Sequence, residues 1–423
     1  MSGRARRFRP ECALRPAGLA LACGLAPLAG HADPGDIHGR LEAQEAGLFA
    51  PGDSIYAASG PRDGNDLLTN LRLTWEPRQD HWSFSLHDLL TVEDGIDVRV
   101  AHAEAALLQP PPATWANLTE TFSDHGQVLG TQRIDRLAVT YTAPDLVVRV
   151  GRQALTWGSG LVFQPMDLFD PFPPNATDTE YKPGTDMIYT QWLYGGGSDL
   201  QFILVPRPQR EGEPPSADAS SAAMHLHTAF FGHQTTLLLA RDHGDLLGAI
   251  GVNGALGGAT WNAEILPTMT SNRATRLSAL GNISDAITLA ARNATIFLEY
   301  FHNGFGAGGG NYTLATLPPD LTERLARGQL FETRRDYLAA GLALEVDPLL
   351  TVNPTLLADL DDGSWYALIA ATYSLGDNLN LIGGIQIPLG QSGTEFGGMP
   401  LAPESATTLA PAKQIYTQIR KYF

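Results

Sequence analysis

The segment from residue 155 to residue 186 concentrates charged side chains among glycines, prolines and aromatic residues. Its acids are Asp167, Asp170, Asp178, Glu180 and Asp186, and its one basic residue is Lys182. Arg136 and Arg149 lie 19 and 6 residues before the segment. Acidic and basic groups that face each other across a narrow aqueous passage select solutes by charge. The chemistry that this set could perform is therefore electrostatic selection.

Two placements of the segment are open. In the first, it folds into the interior of the protein and its acids face basic side chains there. In the second, it is a solvated external loop, and Arg136 and Arg149 pair locally. Trp157, Phe163 and Phe169 favour the interior, because clustered aromatic side chains are poorly placed in water. A stretch of this length without regular structure is also usually functional.

The chain has no recognisable catalytic or metal-binding pattern. It contains neither the G-x-S-x-G turn of a serine hydrolase nor the H-E-x-x-H helix of a zinc enzyme. His225 and His227 would share one face of a strand, yet scattered polar histidines are the simpler interpretation. Both cysteines, Cys12 and Cys23, lie near the N-terminus, so the rest of the chain offers no thiolate ligand. We predict no catalytic residue, no metal site and no cofactor.

The elements that must position the charged residues are two-faced β-strands. Apolar and polar residues alternate over 69–76 and 82–87, and again over 136–141 and 146–151. A period of two places all the apolar side chains on one face. About eighteen such strands can be placed, with sixteen possible, and many approach the length of about 9–11 residues that a tilted membrane strand needs. We predict an all-β fold, a transmembrane antiparallel β-barrel with a long loop folded into its lumen.

The connections between these strands are of two kinds. Short turns are predicted at 77–80, 143–145, 195–199, 347–349 and 375–378, and long connections at 46–65, 91–133, 155–186, 207–222, 303–335 and 389–411. With both termini in the periplasm, every short turn falls on that side and every long connection outside, as in outer-membrane barrels. A soluble sandwich or propeller does not predict this asymmetry, and no blade-like repeat is visible. Within 91–133, residues 98–107 form either an extra strand or a small helix.

The N-terminus has the pattern of a secretory signal peptide. Five arginines within the first fifteen residues precede a short apolar run at 17–30, and Gly30-His31-Ala32 fits a cleavage site. We expect residues 1–32 to be the signal and residues 33–423 to form one barrel domain. A lipoprotein signal ending at Cys23 is the alternative, which Ala20-Leu21-Ala22 fits poorly.

The composition excludes some partners. The predicted signal holds five arginines and one glutamate, so its removal would change the net charge from −17 to −21. Such an acidic chain is a poor partner for nucleic acid. The chain ends on Phe423, and a C-terminal strand ending in Phe resembles the signal by which outer-membrane barrels are recognised for assembly. We expect contacts with the barrel assembly machinery through Phe423, and with outer-membrane lipid and lipopolysaccharide along the wall.

Several short motifs resemble those of a group of proteobacterial porin-like outer-membrane proteins, most of them without assigned function. They are Gly151-Arg152-Gln153, Trp157-Gly158-Ser159-Gly160, the stretches 163–169 (FQPMDLF), 180–186 (EYKPGTD) and 299–304 (EYFHNG), Asp336-Tyr337, Asp362-Gly363-Ser364 and Glu395-Phe396-Gly397. Gln164 stands where the group's pattern has Asn. The resemblance implies a single barrel in the outer membrane, and it implies no particular substrate.

Two further acids, Glu264 and Glu299, fall on polar strand faces. A charge facing lipid at the centre of a bilayer costs about 3 kcal/mol, so both should face the lumen. Pairing with arginines of the wall is the expected role, and contact with a solute is the alternative. The predicted pore or constriction residues are Arg136, Arg149, Trp157, Asp167, Glu180, Lys182, Asp186, Glu264 and Glu299.

The expected function is passive diffusion of small hydrophilic solutes through a porin-like channel in the outer membrane of a Gram-negative cell. The loop 155–186 would narrow the lumen, and no cofactor or energy source is needed. Two alternatives are a barrel that transports hydrophobic compounds and, less favoured, an outer-membrane barrel enzyme.

Overall fold

The computed structural model describes residues 37–108, 110–309 and 312–423, so the predicted signal peptide lies outside the described residues. These residues form one closed barrel of eighteen antiparallel strands, which confirms the predicted fold class and strand number. The wall strands are β1 (Ile37–Phe49), β2 (Asp63–Trp75), β3 (Trp82–Gly95), β4 (Val128–Thr142), β5 (Leu146–Gln153), β6 (Thr185–Tyr194), β7 (Ser198–Val205), β8 (Ser221–Phe230), β9 (His233–Asp242), β10 (Asp245–Leu256), β11 (Ala259–Met269), β12 (Thr275–Leu289), β13 (Arg292–His302), β14 (Asp336–Asp347), β15 (Leu350–Asp359), β16 (Trp365–Gly376), β17 (Leu379–Leu389) and β18 (Lys413–Tyr422).

The barrel closes between its first and last strands. β1 pairs with β18 from Arg40↔Tyr422 to Phe49↔Lys413, and each other wall strand pairs with its neighbours in chain order. The backbone of Phe423 extends this seam, because its N–H donates to the carbonyl oxygen of Gly39 at 3.0 Å. Closure leaves no wall strand with an unpaired edge, as a barrel that crosses lipid requires.

The strands turn their apolar faces outward. In β1, Leu41 is 45% exposed, whereas Arg40 and Glu42 are 2% and 1% exposed. In β18, Ile419 is exposed and Gln418 is buried. A soluble sandwich buries its apolar face, so this arrangement contradicts that alternative and fits a wall between lipid and a polar lumen.

The two ends of the barrel differ as predicted. One end carries connections at 76–81, 143–145, 195–197, 231–232, 257–258, 290–291, 348–349 and 377–378. The other carries those at 50–62, 96–127, 154–184, 206–220, 243–244, 270–274, 303–335, 360–364 and 390–412. Every predicted short turn lies at the first end and every predicted long connection at the second. β1 begins and β18 ends at the short-turn end.

Several of the connections contain short helices or strands. The ambiguous region 98–107 belongs mostly to a helix, and the helices are α1 (Ile55–Ser59), α2 (Ile96–Ala105) and α3 (Pro319–Ala326), with a 3-10 turn at Leu314–Thr316. Thr119–His125 pairs with the start of β4, Arg78–Gln79 pairs with β3, and Met399–Pro400 pairs with Thr408–Leu409. None of the helices within the described ranges is long and apolar enough to span a membrane.

Candidate functional site

The connection between β5 and β6, residues 154–184, is hereafter the central loop. It leaves the wall at Gln153, crosses the lumen and contacts β11 and β13 on the far side of the barrel. Phe163 and Phe169 are each 2% exposed. The predicted placement inside the lumen is therefore confirmed, and the external-loop alternative is wrong.

Glu264 on β11 holds the start of the central loop. Its Oε1 atom accepts hydrogen bonds from the backbone N–H of Ser159 at 2.5 Å and from the Ser159 hydroxyl at 2.8 Å. The Glu264 side chain is buried. A carboxylate bound to a backbone N–H forms one of the stronger hydrogen bonds in proteins, so this contact fixes the loop to the wall.

Glu299 on β13 binds three consecutive backbone amides. Its carboxylate accepts from the N–H groups of Leu161 at 2.6 Å, Val162 at 2.9 Å and Phe163 at 2.8 Å. Asn282 donates to it at 2.9 Å and also donates to the carbonyl oxygen of Ser159 at 2.9 Å. The loop backbone thereby finds partners that water would otherwise supply.

Both acids therefore face the lumen as predicted, but their expected partners were wrong. Glu264 and Glu299 bind the loop backbone, and among the described residues neither forms an ion pair with an arginine of the wall. Gly160 makes the local turn possible, because a Cβ atom there would lie 1.7 Å from the carbonyl oxygen of Phe163. This turn thus brings the amides of Ser159 and of residues 161–163 to two fixed carboxylates.

Trp157 packs the loop against β7 and β8. Its ring stacks on His225 with a centroid distance of 4.8 Å, and its Nε1–H donates to Gln201 at 2.8 Å. Phe169 contacts the same ring edge-on at 5.8 Å. The side chain of Trp157 is buried, so this predicted pore residue holds the loop in place rather than lining open space.

Lys182 ties the end of the central loop to its start and to its middle, through Leu155 and Asp167. Lys182 Nζ lies 2.5 Å from Asp167 Oδ2 and donates to the carbonyl oxygen of Leu155 at 2.5 Å. Burial raises the pKa of Asp167 to about 6 and lowers the pKa of Lys182. The attraction between the two groups opposes both shifts, because each charge stabilises the ionised form of its partner. The pair lies within the loop, whereas the prediction had the acids of the loop facing basic groups on the wall.

A cluster of arginines on β1, β2 and β18 meets the end of the loop. Arg40 lies 2.6 Å from Asp178 and 2.9 Å from Glu180, and Arg420 lies 3.3 Å from Asp178. Arg40 and Arg72 also stand over the Tyr181 ring, at 4.8 Å and 4.4 Å from its centroid. The prediction placed Glu180 in the constriction but missed these arginines.

Two further predicted residues, Arg136 and Asp186, lie near the end of the central loop. Arg136 donates to the carbonyl oxygen of Lys182 at 2.5 Å. Asp186 pairs with Arg152 at 2.8 Å, and Arg152 also donates to the carbonyl oxygen of Ala116 at 2.5 Å. These contacts hold the central loop and the 96–127 loop to the wall.

Arg149 is the predicted residue that faces open space. Its Nε–H donates to Thr140 at 2.9 Å, and it lines a cavity of about 430 Å³ on the short-turn side. Within the described part of the chain, no carboxylate pairs with it. A second cavity, of about 420 Å³, lies between the central loop and β15–β17, and Thr177 and Thr179 contribute to its lining. Polar space thus borders the loop on two sides.

The histidines do not assemble a metal centre in the described ranges, where no group of three or more His, Cys, Asp or Glu could hold a metal ion. His225 stacks on Trp157, and His227 lies 3.5 Å from Asp199.

Comparison with known proteins identifies the fold. No protein-family model matches the chain, and no curated protein matches it in sequence. A BenF-like porin from Pseudomonas fluorescens superposes with a TM-score of 0.53 at 12% identity, over 93% of this chain and 100% of that one. OpdK from Pseudomonas aeruginosa, solved with vanillate, gives 0.50 at 10% identity over 92% and 98%. OccAB1 from Acinetobacter baumannii gives 0.50 at 8% identity over 92% and 96%. The chain shares the barrel fold of these outer-membrane porins.

Proposed function

We propose that this protein is an outer-membrane channel for the passive diffusion of small hydrophilic solutes, rather than an enzyme. The observation that carries the proposal is the central loop, held across a polar lumen by Glu264 and Glu299. A loop fixed in this way sets the width of an aqueous passage, which is how pores select solutes. The fold shared with porins supports the same function.

Selection by charge would arise at two levels of the lumen. Beside the loop, Arg40 and Arg420 face Asp178 and Glu180. On the short-turn side, Arg149 stands in open space without an acidic partner among the described residues. A solute would first meet a mixed ring of both signs and then a basic group. Diffusion down a gradient needs neither a cofactor nor an energy source.

The cellular placement is part of the proposal. Residues 1–32 would direct export in a Gram-negative cell, the outward apolar faces would contact lipid and lipopolysaccharide, and Phe423 would contact the assembly machinery. The location of Phe423 at the β1–β18 seam supports this, since the seam is where the barrel must close. The motifs around residues 151–186 support membership in the porin-like group that they resemble.

The test is single-channel recording of the refolded mature chain in planar bilayers, with reversal potentials in asymmetric salt. Discrete ohmic steps with a measurable ion preference are expected. A folded barrel that gives no steps would overturn the proposal and favour transport of hydrophobic compounds or an enzyme.

A further inference from the structure

A cavity of about 220 Å³ lies beside the constriction, lined by residues of the central loop, of the loops 303–335 and 390–412, and of the wall. Phe163 and Pro174 reach it from the central loop, Glu332 and Glu395 from the other two loops, and Tyr337 from β14. An apolar cavity of about 150 Å³ can hold benzene. The present cavity therefore has room for an aromatic ring with a small substituent.

Six aromatic side chains line the cavity. The aromatic side chains that line it are Phe163, Tyr312, Phe331, Tyr337, Tyr366 and Phe396. The rings of Phe163 and Tyr337 are 5.7 Å apart at 47°, and those of Tyr366 and Phe396 are 5.5 Å apart at 57°. Tilted rings present both faces and edges to the space between them. Aromatic faces attract cations as well as other rings.

Two carboxylates enter this aromatic space without a cation. Glu332 is 7% exposed, and the backbone N–H of Phe331 donates to it at 3.3 Å. Glu395 accepts from the N–H of Thr333 at 3.1 Å and from the Tyr337 hydroxyl at 2.5 Å. Among residues 37–108, 110–309 and 312–423, no basic side chain lies within 4.0 Å of either carboxylate. Buried charges are normally paired, so both acids offer a place for a ligand cation.

Burial is the main cause that raises the pKa of Glu332 and of Glu395 to about 7. The charged and titratable groups around the two acids are Glu299 near Glu332, Asp359 of β15 in hydrogen-bond contact with the Glu395 carboxyl, and Tyr312, Tyr337 and Arg334. The Arg334 guanidinium stands 3.6 Å from the centroid of the Tyr312 ring and 3.7 Å from Asp362, so its charge is engaged by that ring and that acid. A bound cation would favour the ionised form of both carboxyls.

We propose that this cavity binds a small aromatic amine in its ammonium form, with the ring among the aromatic side chains and the ammonium group between Glu332 and Glu395. As a station for a transported solute, the cavity rests on the proposed channel function. Two acids would repel an aromatic carboxylate, and an aromatic alcohol of the same size would leave them without a counter-ion. The proposal also gives a role to Tyr337, Glu395 and Phe396, which belong to sequence motifs that the channel itself does not use.

The test is isothermal titration of the refolded mature barrel in detergent at pH 8. The probes are benzylamine, benzyl alcohol and benzoate, which share a ring and differ in charge. The variants are Glu332→Gln and Glu395→Gln, and the matched control is Glu404→Gln, whose exposed carboxylate lies on the 390–412 loop away from the cavity. The heat-dependent gel mobility of folded barrels checks that each variant folds.

Benzylamine is expected to bind at least tenfold more tightly than benzyl alcohol, and benzoate is expected not to bind. Each cavity variant should weaken benzylamine binding at least tenfold, whereas Glu404→Gln should not. Equal binding of benzylamine and benzyl alcohol to the unmodified barrel overturns the proposal, even if neither variant folds. Binding without single-channel conductance would contradict the channel alone, and conductance without benzylamine binding would contradict this inference alone.

Discussion

Replacing Glu299 with glutamine should release the central loop from the far wall while leaving the barrel folded. The carboxylate has two oxygens, which together receive four N–H donors, from residues 161–163 and from Asn282. Glutamine keeps one of these oxygens and places an NH₂ group where the other was. Each oxygen receives two of the four donors, so two donors lose their acceptor whichever oxygen is replaced.

The magnitude follows from those lost bonds. A buried donor without a partner costs about 1–3 kcal/mol, so two such donors destabilise the docked loop by about 2–6 kcal/mol. Since about 1.4 kcal/mol is a factor of ten, the population of released loop should rise roughly 30-fold to roughly 10⁴-fold. The contacts of Glu264, Trp157 and the Asp167–Lys182 pair remain and oppose complete release.

Two assays read this change. Amide hydrogen exchange of residues 161–163 should become faster, because these N–H groups lose their acceptor. Single-channel current should show larger and more frequent fluctuations than in the unmodified protein. Glu345→Gln is the matched control, since Glu345 is an exposed acid on the adjacent strand β14. Unchanged exchange at residues 161–163 together with an unchanged current would refute the role given to Glu299.

Three further outcomes are expected. Arg149→Gln should shift the reversal potential in a salt gradient toward cation selectivity, because it removes an unpaired basic group from the lumen. Arg210→Gln on an exposed loop should leave the reversal potential unchanged. An equal shift in both variants would contradict the role given to Arg149. Gly160→Ala should lower the yield of folded barrel, because the added Cβ atom would lie 1.7 Å from the Phe163 carbonyl oxygen. Gly309→Ala should fold normally, since a Cβ atom there meets nothing within 4 Å. Equal yields of the two variants would contradict the requirement for glycine at residue 160. Benzylamine affinity should rise as the pH increases from 6 to 8. Burial raises the pKa values of Glu332 and Glu395 to about 7, so both carboxyls ionise over this range while the ammonium group stays charged. A flat or falling affinity in titration calorimetry would contradict the ionic contact.

The wall could be predicted from sequence because one local rule decides it. Alternating apolar and polar residues place Leu41 outside and Arg40 inside in any strand of this kind, whatever its neighbours are. The length and aromatic content of the 155–186 segment likewise indicated a loop inside the lumen. These features depend on short stretches of chain, so the local sequence determines them.

The partners inside the lumen could not be predicted in the same way. Glu264 and Glu299 bind backbone amides, and a backbone amide leaves no signal in the residue types. Arg40 and Arg420 meet only because the barrel closes, which joins strands from opposite ends of the chain. Their positions on polar strand faces could have marked both as candidates, but their shared contact with Asp178 could not be inferred without the closed wall.

The cavity containing Glu332 and Glu395 shows the same limit of sequence reasoning. Three loops from distant parts of the chain form it, together with strands β14 to β16. The motif Glu395-Phe396-Gly397 stood out in the sequence as part of a loop. Its carboxylate acquired a role only when the fold placed it beside Tyr337.

The central claim is that the conducting path runs alongside the central loop, and thiol modification tests it most directly. The chain has no cysteine beyond Cys23, so Thr179→Cys adds one thiol to the mature protein, at an exposed position on the loop that lines the lumen cavity. A charged, water-soluble methanethiosulfonate reagent added during single-channel recording is expected to lower the current in one discrete step. Gly195→Cys, in a short turn with open space around it, serves as the control and should show no such step. Complete modification of Thr179→Cys with no change in current would contradict the account.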